Sequence, residues 1–341
     1  MTDRVIKPVI AVTVGDPAGV GPEIVVKAVA SDRVRAACRP VIFADLPVLE
    51  RAMQATGVWL PLRETAEPLG PEPEDAISVA NPHSSGDRAP VGVISREGGA
   101  AAFAAIQMAT EFCLHGEGTA LATAPINKES FKAAGVPYLD HTATLQGLTG
   151  APSVLTLFVT GELRVFFATR HLAFRDIARH VTKANLTTFT QDAWQQMQRL
   201  GFAAPRLVMA ALNPHGGEHG LFGDEEMLEI GPAVAELNQQ GIDIRGPIPA
   251  DSVFNLALEG HYDAVISLYH DQGHIATKTL DFYRTVSLTL GLPFLRTSVD
   301  HGTAFDLAGT GAANEISMIE AILAAAKYGP AWRHPQTSPE A

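Results

Sequence analysis

Residues 263–274 read DAVISLYHDQGH, an apolar run that turns polar within a few residues. Residues 264–268 have the length and composition of a buried strand. His270, Asp271 and His274 follow directly, so ionisable groups stand where the strand ends. In open α/β sheets, ligands bind outside the carboxyl ends of the strands. The stretch therefore predicts a strand that delivers functional side chains to the rim of a sheet.

The same alternation of short apolar runs and helical patterns extends along the chain, which predicts an α/β protein with mostly parallel sheets. The glycines of VGDPAGVGPE, residues 14–23, lack the G-x-G-x-x-G spacing of a standard Rossmann fold. The predicted strands are 9–14, 41–43, 77–79, 120–123, 154–159, 163–168, 206–210 and 264–268, and the predicted helices are 21–29, 98–115, 187–200 and 316–327.

Composition excludes several classes of protein. The chain of 341 residues is 46% hydrophobic and 18% charged, which is ordinary for a globular protein with sizeable cores. A formal charge of -12 argues against nucleic acid as a partner but allows a small anionic substrate. Cys38 and Cys113 have no paired spacing, and no run is long enough to cross a membrane. We expect a cytoplasmic protein.

Three histidines share the context of the opening stretch. His171, His215 and His270 each follow a predicted strand closely. Three imidazoles at one rim could hold a metal ion with positions open for substrate, and imidazole suits Zn²⁺ better than Mg²⁺. Each histidine taken alone could instead be an ordinary surface residue. His219 and His274 are alternative ligands; both neighbour glycine, and we expect them on loops, without helical co-ligation.

Other polar residues could bind an anion. Arg296 lies between an apolar run and a glycine-rich stretch, where its planar guanidinium would suit a phosphate or carboxylate. Lys278 is a second candidate, although surface ion pairs are the usual fate of both residue types. His141 and Thr142 could add polar contacts or could form a helix N-cap region.

The glycine-rich stretch DHGTAFDLAGTGAAN, residues 300–314, permits close backbone approach, as a loop around a nucleotide requires. Ordinary turns have the same composition.

Taken in order, the motifs GDPAGVGPE, ATAPINKE, DHTA, LNPHGGEHGLFGDEE, YHDQGH and TLGLPFLRTSVDHGTAFDLAG resemble the 4-hydroxythreonine-4-phosphate dehydrogenase (PdxA) family across nearly the whole chain. YHDQGH, FYRTVS and GTAFD are closer to its paralogues that act on 4-phospho-threonate or 4-phospho-erythronate. The glycine-rich stretch is also similar to the nucleotide-binding segment of isocitrate and isopropylmalate dehydrogenases.

The resemblance implies a two-domain fold like that of isocitrate and isopropylmalate dehydrogenases. We expect a nucleotide-binding domain from 1–124 with 281–330, a substrate, metal and dimerisation domain from 125–280, and a disordered tail from 331–341. The resemblance further implies a homodimer with active sites at the subunit interface, NAD as cofactor, and a divalent metal, for which we expect Zn²⁺ in preference to Mg²⁺, Mn²⁺ or Co²⁺.

The resemblance also assigns residues. The metal ligands fall on His171, His215 and His270. The substrate-binding positions fall on His141, Thr142, Lys278, Ser287 and Arg296, and the cofactor-binding positions fall on Gly302, Thr303, Asp306, Gly309 and Asn314. By the chemistry of their side chains, Lys278 and Asp271 are candidates for proton transfer or charge compensation.

Three positions depart from the family pattern. Ser287 replaces an asparagine, Asp140 replaces a glycine, and Ala143 replaces a glutamate. The expected function is metal-dependent, NAD-linked oxidation and decarboxylation of a phosphorylated hydroxy acid, such as 4-phosphohydroxy-L-threonine. The alternatives are oxidation of a terephthalate-type cis-dihydrodiol carboxylate, a zinc hydrolase, and a metal-binding protein without catalysis.

Overall fold

The structure, a computed structural model, describes residues 7–65 and 76–332. Within these ranges the strands are β1 Val9–Thr13, β2 Arg39–Phe43, β3 Leu62–Glu64, β4 Ile77–Ala80, β5 Ala120–Thr123, β6 Leu155–Thr160, β7 Leu163–Phe167, β8 Leu207–Ala210, β9 Ile244–Ile248, β10 Ala264–Ser267, β11 Val286–Leu290 and β12 Leu295–Val299. The helices are α1 Gly21–Ala30, α2 Asp32–Ala37, α3 Leu46–Thr56, α4 Arg96–Leu114, α5 Lys128–Ala134, α6 His141–Thr149, α7 Ile177–His180, α8 Lys183–Arg199, α9 Gly231–Gln239, α10 Ala250–Leu258, α11 His270–Leu280 and α12 Ile316–Tyr328.

The chain forms two compact units. Unit 1 comprises Met1–Val154 with Val286–Ala341, and unit 2 comprises Leu155–Thr285. The first boundary lies later than the predicted one at residue 124, because α5 and α6 pack against α4 of unit 1. Of the predicted tail, Trp332 is buried and its Nε1 donates to the Leu292 carbonyl at 3.1 Å, whereas residues 333–341 lie outside the described ranges.

Unit 1 is built on a sheet with the strand order β3-β4-β2-β1-β5-β12-β11. All neighbouring pairs are parallel except β11 with β12. The Thr297 hydroxyl donates to the Ala321 carbonyl of α12 at 2.7 Å. Because successive side chains of a strand point to opposite faces, Arg296 and Ser298 face away from α12. The opposite face packs on α4 through residues such as Phe43 and Leu121.

Unit 2 is built on the strand order β6-β7-β10-β8-β9. β6 and β7 form an antiparallel hairpin, and β7, β10, β8 and β9 run parallel. The strand residues Val165, Val208 and Val265 pack with Val253 of α10 in one buried cluster. The α/β class with mostly parallel strands is confirmed. Among the described residues, none of the helices combines the length and apolar character needed to cross a membrane.

Candidate active site

Three histidines follow neighbouring strands of the unit 2 sheet. His171 follows β7, His270 follows β10 and His215 follows β8. These strands are adjacent and parallel, in the order β7-β10-β8. Parallel strands end at the same edge, so all three histidines follow strands at one rim of the sheet.

His270 is held in a defined orientation by its neighbour in the sequence. It is the first residue of α11, and its Nδ1 lies 2.6 Å from Oδ1 of Asp271. Because a carboxylate only accepts, Nδ1 donates this hydrogen bond and Nε2 is left as the nitrogen that could bind a metal. The His270 side chain is 43% exposed, so the ring remains accessible from solvent.

His171 faces His270 across a cavity of about 300 Å³ that Phe174 and Tyr269 also line. The two imidazole centroids are 6.0 Å apart. Two imidazoles on one tetrahedral zinc ion, with Zn–N bonds of about 2 Å, have centroids about 5 Å apart. The separation and the carboxylate on His270 fit a shared transition-metal ion with a small adjustment of the rings.

His215 lies on an unusual loop. From His215 through His219 every φ is positive, between 46° and 78°. The described residues lining the cavity do not include His215, and across residues 7–65 and 76–332 no group of three or more His, Cys, Asp or Glu side chains already has metal-site geometry. The three-histidine site therefore stays a prediction, and the structure brings His171 and His270 together.

His274 corrects one expectation. It lies on α11, four residues after His270 on the same helix, and not on a loop. Its ring stacks on Phe167 with centroids 4.6 Å apart and lies 4.2 Å from the ring of His270. Gly273 lies within this helix, where a Cβ would meet the Phe167 ring at 2.5 Å, so glycine lets α11 approach β7 this closely. Lys278 lies further along α11, with Nζ 5.4 Å from the Phe282 ring centroid.

Arg296 forms the polar centre of unit 1. Its side chain is buried on β12, where Nε and Nη2 donate to Thr123 Oγ1 at 3.0 and 2.7 Å and Nη1 donates to Thr289 Oγ1 at 3.0 Å. Burial lowers the pKa of Arg296 to about 10, against the opposing field of Asp140. Neutral hydroxyls do not balance the positive charge of a buried guanidinium, so these surroundings suit an anionic ligand.

His141 lies close to this cation. It begins α6, and its Nε2 is buried without a hydrogen-bond partner. Burial, together with the Arg296 charge, holds the pKa of His141 well below its ordinary value of 6.5, so the imidazole is neutral. Thr142 follows in the first helical turn. A buried polar atom without a partner is costly and is a feature of sites that bind a ligand.

Two of the positions that depart from the family pattern have defined surroundings. Asp140 is the N-cap of α6, and its Oδ1 accepts from the Ala143 amide at 3.0 Å. Ser287 lies opposite Ser298 in the β11–β12 ladder, and Thr289 lies opposite Arg296. Residues directly opposite in an antiparallel pair share a face, so Ser287 lies on the face of the Arg296 centre.

The glycine-rich stretch forms a loop clamped by α1. The Glu23 carboxylate accepts from the amides of Gly309 at 2.5 Å and Gly311 at 2.7 Å. Lys27 Nζ donates to the carbonyls of Gly311 at 2.6 Å and Ala313 at 2.7 Å. Gly309 borders a cavity of about 500 Å³ that Arg51 also lines.

The other predicted cofactor residues have different surroundings. Thr303 is buried, and its carbonyl accepts from the Val20 amide at 2.9 Å. The Asn314 carboxamide oxygen accepts from the Ile316 amide at 2.8 Å, beside the start of α12. Gly302 and Asp306 are exposed. The structure thus brings Gly309 to the cavity wall, and Asn314 has a local capping contact.

Comparison with known proteins gives consistent matches. A family model described as "Pyridoxal phosphate biosynthetic protein PdxA" matches residues 36–325. A "Putative D-threonate 4-phosphate dehydrogenase" of Symbiobacterium thermophilum is 47% identical over 96% of this chain and 98% of its own length.

Solved structures are similar over the same extent. The 4-hydroxythreonine-4-phosphate dehydrogenase of Klebsiella pneumoniae has a TM-score of 0.87 and 39% identity, covering 95% of this chain and 100% of its own. A terephthalate 1,2-cis-dihydrodiol dehydrogenase of Burkholderia xenovorans has a TM-score of 0.65 and 28% identity, covering 94% and 98%. The chain therefore belongs to the PdxA family and is a dehydrogenase that acts on a CH–OH group.

Proposed function

We propose that the chain is an NAD-linked, divalent-metal-dependent dehydrogenase of a phosphorylated hydroxy acid, with 4-phospho-D-threonate, 4-phospho-D-erythronate and 4-phosphohydroxy-L-threonine as candidate substrates. The observation that carries the proposal is the buried Arg296, whose hydrogen bonds go to the hydroxyls of Thr123 and Thr289. A phosphate would meet this cation and the unpartnered Nε2 of His141. The names of the similar proteins, phosphorylated threonate and hydroxythreonine dehydrogenases, support the same class.

The proposed reaction is an oxidation followed by a decarboxylation. The carbinol carbon gives a hydride to the nicotinamide of NAD⁺, the hydroxyl gives up its proton, and the resulting β-keto acid loses CO₂. His171, His215 and His270 would hold the divalent ion, which when bound supplies Lewis acidity at the reacting oxygen.

The chain's own residues have separate tasks in this proposal. Asp271 orients His270 by accepting from Nδ1. Arg296 and His141 would anchor the distal anion and so determine which carbon of the substrate faces the cofactor. Lys278 is a candidate to accept or return the proton, and Thr142 and Ser287 are candidate substrate contacts. The clamped loop at Gly309 would bind NAD beside its cavity.

A substrate panel tests the proposal. Purified protein is mixed with NAD⁺ or NADP⁺, with Zn²⁺, Mg²⁺, Mn²⁺ or Co²⁺, and with each phosphorylated acid, and the absorbance of the reduced nicotinamide is followed. We expect turnover of a phosphorylated acid with NAD⁺ that stops on chelation and resumes on adding the metal. Absence of turnover across the whole panel, with protein that is folded by circular dichroism, would contradict the proposal.

A second candidate is oxidation of a terephthalate-type cis-dihydrodiol carboxylate. It is favoured by the 28% identical dihydrodiol dehydrogenase structure and by Ser287, a smaller side chain than the asparagine of the family pattern. Turnover of this diol where every phosphate ester fails would establish it. The buried Arg296 favours the phosphorylated acids, since a phosphate carries more charge than a carboxylate to meet an isolated cation.

A further inference from the structure

Buried polar side chains tie together the three strand ends that carry the histidines of unit 2. Gln272, on the first turn of α11, is buried, and its Oε1 accepts from the Leu268 amide at 2.7 Å and the Ser267 hydroxyl at 3.2 Å. Its Nε2 donates to the Ala211 carbonyl at 2.8 Å. One carboxamide therefore joins the end of β10, before His270, to the end of β8, before His215.

Thr169 makes the corresponding connection to the third strand. It is buried after β7, and both its amide and its hydroxyl donate to the Leu268 carbonyl, at 3.2 and 2.6 Å. Leu268 thus receives contacts from two sides, from Thr169 and from Gln272. The backbone two residues before His171 is joined to the backbone two residues before His270.

Glu226 holds the start of the His215 loop. Its carboxylate is buried; Oε1 accepts from the amides of Leu212 and Asn213 at 2.8 and 2.7 Å, and Oε2 accepts from Asn213 Nδ2 at 2.9 Å. Burying a carboxylate is costly unless hydrogen bonds replace water, and here three donors converge on it. The loop that it holds begins two residues before His215.

The loop needs such a support. His215, Glu218 and His219 adopt left-handed backbone conformations, with φ of 52°, 46° and 56°. Such a conformation is unfavourable for a non-glycine residue and persists only where the surroundings impose it. A loop required only to connect two elements could relax to ordinary geometry. Backbone strain held by a buried carboxylate at a candidate ligand is typical of a preorganised site.

We propose that Thr169, Gln272 and Glu226, together called the strand-end belt, are positioning residues that preorganise His171, His215 and His270 for one divalent ion. The inference rests on the proposed metal-dependent function and adds the residues through which the rim is held. The belt contacts backbone on either side of the ligands and acts through their placement, as outer-shell groups do in metal sites.

Zn²⁺ affinity of the metal-free protein tests the belt without any assay of turnover. The variants Gln272→Met and Thr169→Val keep the side-chain size and remove hydrogen bonds, and Glu226→Gln removes the charge. We expect Zn²⁺ affinity, measured by competition with a chromophoric chelator, to fall about 10- to 100-fold in each. We also expect the visible spectrum of the Co²⁺ form to change, since it reports ligand number and geometry.

A matched control separates positioning from general stability. Asn238 also joins two elements with one carboxamide, donating to the carbonyls of Val234 and Ile244 at 2.8 and 2.9 Å, and neither of these hydrogen bonds involves the belt or the three histidines. Asn238→Leu should lower the thermal midpoint of the metal-free protein and leave Zn²⁺ affinity unchanged.

The outcomes distinguish the two proposals. If the wild type binds no Zn²⁺, or if His270→Ala binds it as the wild type does, the proposed metal site is wrong and the belt has no function to serve. If the wild type binds through His270 and the folded belt variants keep wild-type affinity, the belt is structural only and the inference is overturned. Thr169→Val, which loses a single hydroxyl, decides the question if Gln272→Met does not fold.

Discussion

The Arg296 centre of unit 1 and the histidine rim of unit 2 differ in how far their polar side chains are exposed to solvent. Arg296 and His141 are 6% and 8% exposed, and burial lowers the pKa of both groups. The His270 side chain at the rim is 43% exposed. Unit 1 buries its candidate binding groups away from water, whereas unit 2 leaves the ring of His270 accessible and holds the backbone around it with hydrogen bonds.

The difference has an energetic consequence. A buried guanidinium bonded to hydroxyls lacks the compensation that a carboxylate would provide, so replacing it by an apolar side chain should cost little stability or increase it. Imidazoles at an exposed rim carry little desolvation cost. Their placement depends on the buried carboxamide of Gln272 and the buried carboxylate of Glu226, and loss of either group should lower the metal affinity.

The largest effect is expected from Arg296→Met. It removes the proposed anion anchor, and kcat/KM for the phosphorylated acid should fall at least about a hundredfold, as for loss of one member of a buried charge pair. The thermal midpoint should stay equal to that of the wild type or rise. Arg164→Met, at a buried arginine of unit 2 bonded to Glu162, is the control and should keep kcat/KM. A destabilised Arg296→Met protein with full activity would reverse the contrast between the units.

His141 should make stability depend on pH. The folded imidazole stays neutral, while the unfolded chain takes up a proton below about pH 6.5, so stability is lost as pH falls. The loss grows as the pH falls further below that value, and His141→Gln should abolish it. The measurement is urea unfolding at pH 7 and pH 5, with His115→Gln, at an exposed histidine, as the control. If the free energy of unfolding of His141→Gln depends on pH as strongly as that of the wild type, burial does not keep the His141 imidazole neutral.

Asp271→Asn tests whether the position of the His270 ring at the rim of unit 2 controls metal binding. Without the carboxylate on Nδ1, His270 loses its fixed orientation, and Zn²⁺ affinity should fall about tenfold. Saturating Zn²⁺ should then restore kcat. Asp281→Asn, at the end of the same helix, should leave both values unchanged. A kcat that stays low at saturating metal would instead assign Asp271 to proton transfer.

The smallest effect is expected at the clamped loop. Glu23→Gln leaves one of the amides of Gly309 and Gly311 facing a donor, which costs about 1 kcal/mol and should raise KM for NAD⁺ about fivefold with kcat unchanged. Steady-state kinetics at saturating substrate measure the change, and Glu50→Gln, at an exposed position of α3, is the control. An unchanged KM would mean that the clamp does not shape the proposed cofactor site.

Continuous apolar runs made β1, β5, β7, β8 and β10 predictable, because a strand buried on both faces needs apolar residues throughout. β11 and β12 were missed. Polar residues occupy alternate positions on one face of these strands, as they do in a strand with one face in solvent. The sequence pattern therefore did not reveal that these polar residues are buried. Helix α11 was missed because Gly273 and the flanking histidines are typical of a loop, whereas close packing on Phe167 favours the glycine.

The amino-acid sequence by itself determined the α/β class, the family, and the presence of a histidine after each of three strands, because strand length and apolar composition are local properties. Tertiary structure alone decided that β7, β10 and β8 are neighbours, that Gln272 and Glu226 hydrogen-bond to the ends of these strands, and that Arg296 and His141 are both buried, with the charge of Arg296 acting on His141. Strand order and burial depend on contacts between segments that are distant in the chain, so no local sequence pattern predicts them.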